Sequence, residues 1–156
     1  MKREKINVRG SCYSFAFHST TTQHIISTTL NRYTLITETY SFSKASTTYY
    51  FDAAFTQLKK IADIKSAIII TDENIFKAHP EKFKGWNTIV LKAGEQYKVQ
   101  ATVDTVIEQM LDMEADRKTT LIGIGGGVIT DITGYVASIY MRGIPFGFVP
   151  TSVLAM

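Results

Sequence analysis

Residues 119–131, Thr-Thr-Leu-Ile-Gly-Ile-Gly-Gly-Gly-Val-Ile-Thr-Asp, join a buried-strand pattern to a glycine turn and then to a helix start. Few connections restrict a fold as strongly, because a strand that feeds a helix through glycines is the place where α/β sheets hold phosphates. Gly125, Gly126 and Gly127 lack Cβ atoms, so the backbone is expected to turn sharply there and to let a bound group come close. The first N–H groups of the helix that follows have no intrahelical acceptor and point at any anion in front of them. A tight strand-to-helix connection without a ligand is the alternative reading of the same residues.

The motif departs from two familiar phosphate loops. A G-x-G-x-x-G fingerprint starting at Gly123 would need glycine where Val128 stands, and no Gly-Lys-Ser/Thr follows, so the lysine and the Mg²⁺-binding hydroxyl of a P-loop are missing. One turn past Gly127 comes Asp131 instead, whose carboxylate repels a triphosphate but accepts hydrogen bonds from sugar hydroxyls or an amide. An acid so placed also gains about 0.3–1 kcal/mol from the helix dipole without any ligand.

Chain length and charge narrow the class. The 156 residues amount to one domain, able to bury roughly 70% of its unfolded surface without a disulfide or metal staple. Seventeen basic against 14 acidic side chains, a net charge of +3, fall short of a nucleic-acid or anionic-membrane binder, and no run of five like charges occurs. Cys12 is the single cysteine, which rules out an internal disulfide framework and fits a reducing compartment. The Met-Lys-Arg-Glu-Lys start has no apolar signal segment and no apolar run nears transmembrane length, so a cytoplasmic protein is expected.

The first fifty residues are rich in Ser, Thr, Tyr and Phe and nearly free of helical periodicity. Alternation over Tyr33–Tyr40 and again near Thr47–Phe51 predicts two strands, a hairpin closed around Ser43-Lys-Ala-Ser46. Residues before about Asn31, including Ser19-Thr-Thr-Thr22, carry no usable motif and read as a loose extension or an extra edge strand. From Asp52 the rhythm changes. Ala53, Phe55, Leu58, Ile61 and Ala62 sit near helical spacing; Ala67–Thr71 is an apolar strand; Ile75 and Phe76 begin a short helix that stops before His79-Pro80. Thr88–Leu91 is the next strand, and Val99, Val103, Val106, Ile107, Met110 and Leu111 mark an amphipathic helix. The strand Thr120–Ile124, a helix over about 128–140 ended by Gly143 and Pro145, and a last strand Phe146–Val149 complete the series. Such alternation predicts an α/β fold, a Rossmann-like parallel sheet with helices on both faces, preceded by the hairpin and extension.

In such a sheet the C-terminal strand ends share one rim, where ligands bind. The residues expected there are Asp72, then Gly94, Glu95 and Lys98, then the glycine loop with Asp131, then Thr151 and Ser152. Carboxylates suit ribose hydroxyls, a lysine suits a phosphate or a purine edge, and glycine amides suit a pyrophosphate. Taken singly they also read as a helix N-cap at Asp72, solvated charges at Glu95 and Lys98, and turn residues at Thr151 and Ser152. Arg142 falls on the opposite rim, between a helix end and a strand start. It either offsets the helix dipole or holds a phosphate for a neighbouring subunit through bidentate hydrogen bonds.

Four segments in order, Gly94-Glu-Gln-Tyr-Lys98, Gly125-Gly-Gly-Val-Ile-Thr-Asp131, Arg142-Gly-Ile-Pro-Phe146 and Val149-Pro-Thr-Ser152, resemble the amino-terminal domain of 3-dehydroquinate synthases, within the sugar phosphate cyclases. The likeness runs from about Ala67 to the last residue. It implies closure of the sugar acid phosphate DAHP to 3-dehydroquinate with loss of phosphate, a lyase step of the shikimate route to aromatic amino acids. Catalytic NAD⁺ oxidises a ring hydroxyl in that family and is regenerated in each turnover. By motif, Asp72, Gly94, Glu95, Lys98, Gly126, Gly127, Val128, Asp131, Thr151 and Ser152 would be cofactor-binding, and Arg142 would bind substrate phosphate across a homodimer interface. Ser152 departs from the family's commoner threonine while keeping the hydroxyl, and Ala93 stands where many relatives place an acid.

The resemblance implies residues 1–30 as an extension of unassigned role and 31–156 as the NAD-binding domain. It places a divalent metal, Zn²⁺ or Co²⁺, in a helical C-terminal domain that this chain does not contain, held there by a glutamate and two histidines. His18, His24 and His79 lack ligand spacing, so no metal ligand and no catalytic residue is assigned here, and the chain alone is expected to be inactive. A sibling cyclase, a glycerol or iron-type dehydrogenase, and a free-standing nucleotide-binding module are the alternatives.

Overall fold

The computed structural model describes residues 13–19, 36–42, 45–152 and 155. Seven strands form one mixed sheet in the order β2-β3-β1-β7-β6-β4-β5. Four of them, β4 (Ala67–Asp72), β5 (Asn87–Leu91), β6 (Thr120–Gly125) and β7 (Phe146–Pro150), run parallel. β2 (Ile36–Ser41) and β3 (Ser46–Ala53) make the expected antiparallel hairpin, and β1 (Tyr13–Ser19) stitches it to the parallel half by pairing antiparallel with both β3 and β7. The stretch read as a loose extension or edge strand is therefore, over 13–19, an interior strand. Cys12, Thr20–Thr22, His24, Tyr33 and Ser43-Lys44 lie outside the described residues.

Alternation along the parallel strands sorts their side chains onto two helical layers. Ile68, Ile70, Ile89, Leu91 and Leu121 face α4 (Gln100–Asp112) and α5 (Gly127–Ile139), which return Val103, Val106, Met110, Ile132 and Val136 at three- and four-residue spacing. Ala67, Ile69, Ile122, Ile124 and Val149 face the other way, against Leu58 of α1 (Leu58–Ile61), Phe83 of α3 (Pro80–Phe83) and Trp86. Both faces of the parallel half are thus covered, as predicted. The helix expected to stop before His79-Pro80 does so, as α2 (Glu73–Ala78), but Pro80 is more than a stop. It opens α3 at the first helical position, where proline's missing N–H costs nothing.

The strand order locates the functional rim. From β4 the chain crosses by α2 and α3 to β5 on one side, then returns by α4 to β6 on the other side of β4 and continues by α5 to β7. The winding reverses between β4 and β6, and the reversal leaves a crevice outside the C-terminal ends of those two strands.

Candidate functional site at the reversal of the sheet

The glycine run divides into two pairs with different physical reasons. Gly123 and Gly125 lie beneath α5, where an added Cβ would fall 2.5 Å from Thr133 Oγ1 and 2.6 Å from Ile129 Cβ respectively. These two glycines let the helix seat on the sheet. At Gly126 an added Cβ would meet only Ser152 Oγ at 3.4 Å, and at Gly127 nothing within 4 Å. None of the glycines from 123 to 127 has a positive φ, so the expected sharp turn is not what selects them. Close packing selects the first pair, and the second pair leaves open space at the start of α5.

The start of α5 is bare, as are those of α1, α3 and α4. Gly126 is the N-cap of α5 in extended conformation, and no side chain caps the first turn. A helix normally satisfies one of these N–H groups with a Ser, Thr, Asp or Asn oxygen. Here the amides and the positive end of the helix dipole are left available to an anion. Thr130, which sequence reasoning missed, holds the loop from behind by donating its hydroxyl to Gly127 O at 3.1 Å and Gly126 O at 3.4 Å. A hydroxyl one turn after a glycine pair is the signal that would have found it. From the neighbouring strand Thr151 N donates to Gly125 O at 2.9 Å, which fixes the end of β7 against the loop.

Lys98, Glu95 and Asp131 come together. The Lys98 ammonium lies 2.6 Å from Asp131 Oδ2 and 3.5 Å from Glu95 Oε1, so it ties the loop after β5 to the first turns of α5. The hydrogen bond and charge of Asp131, then the charge of Glu95, hold the Lys98 pKa above the usual lysine range. Charge neutralisation at Asp131 lowers the repulsion an incoming phosphate would meet beside the bare helix end. The loop bends at Gly94, whose φ of 124° excludes side chains and where a Cβ would collide with the Gln96 side chain.

Asp72 ends β4 directly beside this loop, since β4 and β6 pair through Thr71 and Ile124. It caps α2, accepting from Asn74 N at 2.9 Å and Ile75 N at 3.1 Å through one oxygen, Oδ1. Thr71, fully buried, donates to Ile124 O at 2.9 Å and locks the two strand ends together. Val128 is half-buried against the core of α4 and α5, so what it offers outward is its backbone amide. Thr151 and Ser152 are exposed at the end of β7, with Ser152 close enough to Gly126 to flank the loop.

Arg142 is not brought to this rim. It follows α5, which runs antiparallel to the strands, and precedes β7, so it lies exposed at the opposite rim. Met141, Arg142 and Gly143 have successive φ values of 47°, 69° and 109°. The two non-glycine residues hold left-handed backbone at a cost of roughly 1–2 kcal/mol each. Hydrogen bonds from Gly143 N to Tyr140 O and from Ile144 N to Ala137 O close the turn that keeps Arg142 outside.

Bare helix end, open glycines and convergent acids at a winding reversal define a Rossmann-like α/β domain with an anion-receptive rim. Residues 88–156, which contain all four motifs, match the family model described as 3-dehydroquinate synthase N-terminal. The chain is 40% identical over 113 residues to the 3-dehydroquinate synthase of Pyrococcus furiosus, a match covering 65% of this chain and 34% of that protein. It spans about a third of the length of this curated relative. Among solved structures it is similar to 2-deoxy-scyllo-inosose synthase complexed with carbaglucose-6-phosphate, NAD⁺ and Co²⁺. That likeness has 28% identity and a TM-score of 0.52 over 65% of this chain and 30% of that one. The resemblance carried by the four motifs is borne out, as is the α/β architecture.

Proposed function

We propose that this chain is the NAD-binding part of a 3-dehydroquinate synthase, which converts DAHP to 3-dehydroquinate and phosphate. The observation that carries the reading is the uncapped start of α5, where the Cβ position of Gly127 is open and the nearby Asp131 is already neutralised by Lys98. The space fits a pyrophosphate lying on the amides of Gly126, Gly127 and Val128. Asp72 keeps its second carboxylate oxygen outside the N-cap, suited to a ribose hydroxyl. Thr151 and Ser152 flank the loop, and Gly94 shapes the segment that carries Glu95 and Lys98. Bound NAD⁺ would supply a reversible hydride acceptor for a ring hydroxyl of the substrate. This chain's own residues position it, fix its phosphates and balance its charge.

A divalent metal, Zn²⁺ or Co²⁺, belongs to the same reading. Among the described residues no group of three or more His, Cys, Asp and Glu side chains is placed to hold one, and none of them is assigned to it. The left-handed turn at Arg142 supports a role for that residue outside its own rim, as the phosphate ligand of a neighbouring subunit in a homodimer, since local strain is retained where a position matters. A cytoplasmic setting fits the same reading, and among the described residues no helix is long and apolar enough to cross a membrane.

The test separates binding from folding. Gly127→Ala adds a methyl group into open space at a helical φ, so stability should hold or rise by up to about 1 kcal/mol. The same methyl group stands where the pyrophosphate would approach, so calorimetric titration with NAD⁺ should show wild-type binding and an affinity at least about tenfold lower in the variant. Absence of NAD⁺ binding by the wild-type chain, or equal affinity in the variant, would overturn the assignment of the loop. The likeness to 2-deoxy-scyllo-inosose synthase favours a sibling cyclase as the second reading. Product analysis with DAHP, on enzyme containing this chain in its full-length context, separates the two.

A further inference from the structure

The start of β5, at the other end of that strand from the cofactor rim, borders a second recess. Phe76 of α2, Pro80 and Phe83 of α3, and Trp86 wall a cleft of about 570 Å³ where the chain passes from α3 into β5. Small-molecule sites occupy roughly 300–1,000 Å³ and are walled in the same way, by apolar and aromatic side chains with a few polar groups among them. The Phe76 and Phe83 rings pack with centroids 5.3 Å apart, and Trp86 is only 7% exposed. Two polar groups of this lining are not engaged. The Trp86 indole Nε1 is buried and has no hydrogen-bond partner among the described residues, a state that native proteins rarely leave a donor in. Lys84, two positions earlier, is exposed, and none of the described carboxylates pairs with it. The Thr88 hydroxyl, by contrast, already donates to Trp86 O at 3.2 Å.

We propose that this cleft binds a small aromatic monocarboxylate. The ring lies against Phe76, Phe83 and Trp86, and the carboxylate takes the Lys84 ammonium and the Trp86 N–H as its two donors. Charge limits the ligand to one negative group. Glu81 is the other charged residue of the lining, so the two side chains sum to zero, and a phosphate or a dicarboxylate would bring further negative charge up to that acid. Glu81 lies 3.9 Å from His79 Nδ1 and does not pair with Lys84, which leaves the ammonium to the ligand. A neutral aromatic molecule would fill the apolar walls and leave both donors unmet. The cofactor crevice lies outside the C-terminal strand ends, so this site is independent of the cofactor reading.

Trp86 is the chain's single tryptophan, so its emission reports on this cleft. Titration of the chain with 3-phenylpropionate should change that emission saturably, with a dissociation constant of about 1 mM or below. The uncharged 3-phenylpropionamide should bind at least about tenfold more weakly, and NAD⁺ should not displace the carboxylate. Lys84→Ala removes the ammonium from an exposed position, so its circular dichroism should stay that of wild type while affinity falls at least about tenfold. Trp86→Phe keeps an aromatic wall without the N–H, and calorimetry should show weaker binding there too. No saturable change with 3-phenylpropionate, equal binding of the amide, or unchanged affinity in Lys84→Ala would overturn the proposal. Displacement by NAD⁺ would overturn it as well, by moving the ligand to the cofactor crevice.

Discussion

The parallel half of the sheet and the outer strand of the antiparallel hairpin end in opposite states, while β3 between them buries Tyr50 and Ala53. β4 buries Ala67 through Thr71 without a break, whereas β2 exposes every residue it has. The connections explain the difference. Parallel neighbours need crossovers, and the crossovers supply the helices that cover both faces, while a hairpin turns back at once and brings no cover with it. The candidate site lies in the covered half for the same reason: only successive crossovers can change the side to which they wind, and that change between β4 and β6 opens the crevice.

The sharpest way to break this comparison is to truncate one isoleucine from each half. Ile69 is fully buried, and Ile69→Ala should cost about 2–5 kcal/mol in urea unfolding. Ile36→Ala, on the exposed strand, should stay within about 0.5 kcal/mol at concentrations where the chain is monomeric. Equal losses would mean that the hairpin is as integrated as the core. Next in size is Gly125→Ala. Its new methyl group would sit 2.6 Å from Ile129 Cβ, a branched position that cannot swing away, so about 1–3 kcal/mol should be lost where Gly127→Ala loses nothing. If both substitutions proved silent, the division of the glycines into packing and ligand pairs would fall.

The smallest effect concerns Lys98. Its pKa is raised in the folded protein, so its stabilising contribution is fully present below the ordinary lysine pKa and disappears as pH rises through the folded value. The difference in melting temperature between wild type and Lys98→Met should be constant through neutral pH and shrink only in the alkaline range. High salt should reduce it as well, since the side chain is 41% exposed. A difference that changed around pH 5–7 would assign the contribution to another group.

These contrasts also separate what was legible in the residues from what was not. The parallel strands and α4 and α5 could be read because burial on two faces leaves apolar runs and three-four spacing. β1 could not: its pairing partners are β3 and β7, and nothing local in Tyr-Ser-Phe-Ala-Phe-His-Ser names them. α3 was missed because Pro80 was read only as a stop. At the site, the strand-end rule gathered Asp72, Glu95, Lys98 and Asp131, but the Lys98–Asp131 bond joins distant parts of the chain and needed the fold. Asp72 proved to be the N-cap that the plainer reading allowed. The separate duties of Gly123 and Gly125 against Gly126 and Gly127 depend on where α5 lies, which composition does not disclose.

The stitching of the hairpin to the parallel half by β1 bears on the order in which the chain assembles. Ala16 of β1 pairs with Phe148 of β7, about 130 positions away, while β2 and β3 pair across a short turn. On the ribosome the hairpin is complete early, yet the strand that fastens it to the rest must wait for the last strand of the sheet to emerge. Throughout that interval β1 carries an unsatisfied edge, and the most non-local contact of the sheet is also the one that closes it.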